Sequence, residues 1–152
     1  MHVGNYLGLL QASEEQLANA FLVVAGHHQD EPDIGGICHL QESWSREHLE
    51  KLKPLTEKYN EQKSDEPERL HQALFGGTRT GSLALLRDLH DLWLLANEVR
   101  LCWLVLDQAA KALHDEQLEE TCLTSDKQTQ RQLAFLLTRI KQSAPQTLIV
   151  AE

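Results

Sequence analysis

From Leu85 to Leu113, apolar residues recur in steps of four and three: Leu85, Leu89, Leu92, Ala96, Val99, Trp103, Leu106, Ala110 and Leu113. This spacing puts all nine on one stripe of an α-helix. Leu86, Trp93 and Leu104 flank the stripe, so the apolar arc is wider than a two-stranded coiled-coil seam. The pattern predicts one long helix from Ser82 to Leu113, a rod of roughly 48 Å at 1.5 Å per residue. A rod that is apolar over so wide an arc needs neighbours on more than one side.

The rest of the chain supplies three. Ser13 has the chemistry of an N-cap, and Gln16 completes a capping box. Glu14 and Glu15 would then face the positive helix end. Leu17, Phe21, Val24 and His28 follow at helical spacing, which predicts a first helix after a short lead-in over residues 1–12. It should stop near Gln29 or Asp30, because Pro32 disfavours helical geometry at Glu31. Asp33 is the expected cap of a second helix, whose inward line reads Ile37, Gln41, Trp44, His48, Leu52, Leu55 and Tyr59. Pro54 falls inside that line and predicts a kink. A fourth helix follows Asp115, with Glu116, Glu119 and Glu120 in its first turn and Leu118, Cys122, Ser125, Thr129, Leu133 (or Gln132), Leu136 and Ile140 facing inward. Pro145 should end it, and the apolar tail Thr147–Val150 is expected to pack back on the body or on a second subunit.

Between Asn60 and Gly81 the periodicity stops, and charge, Gly and Pro take over. Such a connection is long for a compact domain. A crossover explains it, since at about 3.3 Å per residue it reaches roughly 70 Å, the length of a bundle. An up-down arrangement is the alternative, and the two place different residues together.

Composition agrees with an all-α fold and one domain over residues 1–152. Leu, Ala, Gln and Glu far outnumber Val and Ile, and aromatics are only 5% of the chain. The net charge of −9 argues against nucleic acid as a partner. Cys38, Cys102 and Cys122 form no close pair, which fits a reducing compartment. No apolar run approaches the roughly 20 residues of a membrane span, and the N-terminal stretch lacks a basic leader. The expectation is a cytoplasmic protein.

Four long helices with short, long and short connections resemble the ferritin-like superfamily. The segments HHQDEPD, LLRDLHDLW and RQLAFLLTRIKQSAPQTL also resemble those of small bacterial ferritin-like proteins of unassigned function. The resemblance covers roughly residues 13–150 and implies a four-helix bundle with a crossover between helices two and three. It also implies a place for two iron or manganese ions, held by one Glu from each of two helices and a Glu-x-x-His from each of the others. The only Glu-x-x-His here is Glu68–His71, in the long connection, and helix four has no histidine.

Histidines and acids are nevertheless clustered. His27 and Glu31, four apart, suit two metal ligands on one helical face, or a surface ion pair at a helix end. In the crossover topology His27, Glu31, His39, His90 and Asp91 converge at one end; in the up-down topology His114 and Glu116 take the place of the last two. His48 faces inward and Glu98 lies mid-helix, so a His48–Glu98 contact across the bundle is expected, in a structural or a metal-binding role. Asp88 reads as surface or interface charge. Cys38, near His39, is a conceivable thiolate ligand. Two functions follow. The first is a binding or assembly protein without an intact di-iron site, with a homodimer as one form. The second is a metal-binding protein with an atypical set, His27, Glu31, His48, Asp91 and Glu98, holding iron or manganese for storage or redox chemistry.

Overall fold

The lead-in is itself helical. In the computed structural model, which describes residues 1–60 and 73–150, the chain forms α1 (Val3–His27), α2 (Pro32–Asn60), α3 (Ala84–Leu113) and α4 (Glu116–Pro145), then a short π-helical turn over Gln146–Val150. Leu7 and Leu10 are fully buried with Leu17 and Phe21, so α1 continues the apolar stripe well before Ser13. Ser13 is buried inside the helix rather than capping it. Gln16, its presumed capping partner, accepts the backbone N–H groups of Leu74 (2.8 Å) and Phe75 (3.0 Å), pinning the segment before α3 across α1. Tertiary packing has overridden a local capping signal.

α2 starts one residue earlier than its expected cap. The Glu31 carbonyl accepts from the N–H groups of Ile34 and Gly35. Pro32 thus holds the first helical position, where a missing N–H costs nothing. The helix runs through Pro54 as one element. Its buried line is Ile34, Cys38, Gln41, Ser45, His48, Leu52, Leu55 and Tyr59, so Ser45 and not Trp44 faces inward. Asp115 caps α4 as expected, accepting the Leu118 N–H at 3.1 Å. Just before it His114 adopts a left-handed conformation (φ 54°). Asp115 N–H bonds the Ala110 carbonyl and His114 N–H that of Lys111, a Schellman closure of α3.

Side-chain bonds between helix ends set their directions. His28, just past α1, meets Asp88 near the start of α3, and Arg139, late in α4, meets Glu31 and Asp33 at the start of α2. At the opposite end Lys58 and Tyr59, closing α2, both bond Asp115 at the start of α4. The end of α1, the starts of α2 and α3 and the end of α4 therefore share one end of the bundle. α1 packs on α2 and α3, α4 on α3 and more lightly on α2. Most of the long connection, with Glu68–His71, lies outside the described residues.

The tail does not fold back. Leu148, Ile149 and Val150 project into solvent, Ile149 being 81% exposed. Pro145 is carried within α4 and the next residues continue as a widened turn, leading the chain off the end of the bundle. Among the described residues no helix is long and apolar enough to cross a membrane.

Candidate functional site

Two polar clusters interrupt the apolar interior. The first lies mid-bundle and draws on all four helices. Glu14 of α1, fully buried, meets His48 Nδ1 at 2.5 Å through Oε2, and His48 Nε2 meets Gln128 Oε1 of α4 at 2.7 Å. Both ring nitrogens of His48 are thus engaged, one by a carboxylate and the other by a side-chain amide. Burial pushes the Glu14 carboxyl up, while His48, Ser45 and Trp103 act in the opposite direction. Trp103 of α3 stacks edge-on to the His48 ring, 5.8 Å between centroids. Gln132 donates to the Gln41 carbonyl and to Ser45 Oγ, both at 3.0 Å, tying α4 to α2 one turn further along.

The donor set does not fit two metal ions. A di-iron bundle places Glu-x-x-His on two helices and a Glu on each of the others. Here, among the described residues, α2 brings Ser45 and His48, α4 brings Ser125 and Gln128, α1 brings Glu14, and α3 brings Trp103 in place of a Glu. One carboxylate cannot balance two divalent ions, and both nitrogens of the one imidazole are engaged.

The second cluster closes one end. Asp88, fully buried, takes His28 Nε2 on Oδ2 at 2.7 Å and the Arg79 backbone N–H on Oδ1 at 2.9 Å. His27 is exposed, bonds the Arg79 carbonyl through Nε2 at 2.8 Å, and stands edge-on to His28. Ligand atoms of His27, His28 and Asp88 all lie within 4.8 Å of one another. The Arg79 guanidinium is turned away into a fork with Asp91 at 3.0 to 3.4 Å.

The residues singled out from sequence therefore part company. His27 belongs to the end cluster. Glu31 does not join it: α1 ends at His27, the helical face they were to share does not exist, and Glu31 pairs with Arg139 at 3.0 Å. Asp91 serves Arg79. His48 has Glu14 as partner, not Glu98, which is half-buried with Cys102 Sγ at 3.9 Å. Asp88 is no surface charge but the best-buried acid of the end cluster. Cys38, Cys102 and Cys122 are buried, and burial together with nearby acids pushes each thiol up to about 12, which disfavours a thiolate ligand.

Sequence reasoning missed Glu14, His28, Asp88 and Gln128 as site residues. Glu14 was read as a first-turn acid because α1 was begun too late. A signal did exist for the middle: Ser45-x-x-His48 and Ser125-x-x-Gln128 share the three-residue spacing of the metal motif without its carboxylates. Comparison of the chain with known proteins returned no matching protein-family model, no matching curated protein and no matching solved structure.

Proposed function

We propose that this chain is a ferritin-like bundle, with a crossover between α2 and α3, that acts by binding or assembly and not through a di-iron centre. The observation that carries the reading is the Glu14–His48–Gln128 chain in the place where metal ligands would converge. It engages both nitrogens of His48, and the chain of contacts holds one carboxylate, that of Glu14. The shared ends described above support the crossover.

Assembly draws on the surface. Leu94, Leu101 and Val105 stand at steps of seven and four, hence on one face of α3, and all are exposed, Leu101 by 58%. Val105 also lines a shallow apolar groove of about 210 Å³ with Val3 and Tyr6 of α1. A second copy of this chain is the simplest cover for such a face.

Two measurements test the reading. Tag-free protein incubated anaerobically with ferrous iron and desalted should retain no mid-bundle iron, so Glu14→Gln and wild type should carry the same content. Near-stoichiometric iron that Glu14→Gln abolishes would overturn the proposal. Light scattering should give a dimer that Leu101→Glu converts to monomer; a monomeric wild type would remove the homodimer. The alternative, an iron- or manganese-binding protein with a storage or redox role, is favoured by retained iron in the first measurement.

A further inference from the structure

We propose that His27, His28 and Asp88 form a binding site for one divalent transition-metal ion of the zinc class, at the bundle end and apart from the reading above. Two imidazoles and a carboxylate are a borderline-soft, singly anionic donor set. It suits zinc, cobalt or ferrous iron and is poor for calcium or magnesium, which require more oxygen ligands.

The cluster is largely arranged for this task. Ligands about 2.0–2.2 Å from one ion stand roughly 3 to 4.4 Å apart. The three donor atoms here lie within 4.8 Å, so small side-chain rotations bring them into range. Second contacts already aim two of them. The Arg79 N–H holds Asp88 by Oδ1 and leaves Oδ2 toward His28. The Arg79 carbonyl accepts from His27 Nε2 and holds that ring beside the pair, its other nitrogen carrying the lone pair that a metal would take once the ring turns. This is the pattern that orients metal-bound histidines and carboxylates. A metal would enter between His28 Nε2 and Asp88 Oδ2, replacing the proton that joins them. The Arg79 guanidinium beside the cluster is neutralised by its fork with Asp91. His27 lies at the surface, so the ion has a way in and a coordination position left for water.

The three ligands come from the end of α1 and the start of α3, and the Arg79 contacts add the segment before α3. A bound ion would cross-link these elements and stabilise the bundle.

The test is calorimetric titration of zinc chloride into the tag-free, chelator-stripped full chain, with magnesium and calcium as counter-probes. The expected result is one zinc per chain at micromolar or tighter dissociation constant, a higher melting temperature with zinc, and no response to the other two ions. His27→Ala, an exposed substitution, should weaken zinc binding at least tenfold while the metal-free melting temperature stays within about a degree. His90→Ala, on an exposed histidine of α3 outside the cluster, should bind like wild type. Cobalt(II) should give a visible ligand-field band that His27→Ala loses. Asp88→Asn should also abolish binding; if it fails to fold, the His27→Ala comparison still decides. No saturable one-to-one binding, or equal binding by wild type and His27→Ala, would overturn the site.

Discussion

Two imidazole–carboxylate pairs are buried among the described residues, Glu14–His48 in the middle of the bundle and His28–Asp88 at one end, and they differ in what closes them off. In the middle, four helices surround the pair, and the second ring nitrogen of His48 is taken by Gln128. Trp103, edge-on to the His48 ring, is fully buried with the pair. At the end, Asp88 has both oxygens engaged, and an exposed second histidine stands beside the pair. The same two functional groups are thus enclosed by four helices in one place and flanked by an exposed second histidine in the other.

The largest effect should come from breaking the middle pair. His48→Ala strands a buried carboxylate that has no other strong partner, and should cost about 3–5 kcal/mol in urea-induced unfolding. Glu14→Gln keeps the shape and removes the charge, so it should cost far less. It should also change the pH dependence. The folded-state pKa of Glu14 is raised, so the folded protein holds that proton longer than the unfolded chain does. Wild type therefore loses stability as pH rises above the ordinary Glu value toward the raised one, and Glu14→Gln should lack that slope. Equal slopes for both proteins would mean that Glu14 is not shifted in this way.

Asp88→Ala breaks the end pair. It should cost about 2–3 kcal/mol, less than in the middle, because the groups left behind are an imidazole and one backbone N–H and not a buried acid. A cost equal to that of His48→Ala would show that the two environments are alike.

At the far end Asp115 provides a third carboxylate for contrast. Burial opposes its charge, but Lys58, Tyr59 and the Leu118 N–H outweigh that and hold it down at about 2, from an ordinary 3.8. Its contribution is present above the unfolded-state value and is lost as pH falls from about 4 to about 2. Because Lys58 is half exposed, the expected size is about 1–2 kcal/mol rather than the full shift. Asp115→Asn should remove this acid dependence in thermal melts across that range. Smallest, His114→Gly should gain about 0.5–1 kcal/mol by relieving a left-handed backbone that suits glycine.

What was legible in the chain is what depends on near neighbours. A stripe at 3.6-residue period is a property of one segment, so the four helices, Asp115 as a cap and the inward face of α3 could be read directly. His48 was read as a core residue for the same reason, since its place on α2 follows from the spacing. Contacts between helices were not legible. Periodicity says which face of a helix turns inward, but not which residue of a neighbour stands opposite, nor at what height along the axis. Starting α1 late moved Glu14 from mid-helix to a presumed first turn, and His48 was then assigned Glu98 in place of the acid it meets. On α2, choosing Trp44 over Ser45 turned the inward line by one residue, about 100° of helix, and hid the Ser45–His48 pair. At the bundle end, Asp88 looked like surface charge because nothing local shows that His28 and the backbone of Arg79 will fold over it. The amino-acid sequence by itself determined the number of helices, their apolar faces and much of their capping, because those arise from interactions within a few residues. Only the tertiary structure decided which carboxylate joins which histidine and which pair has an exposed histidine beside it, because those follow from the register and direction of helices far apart in the chain.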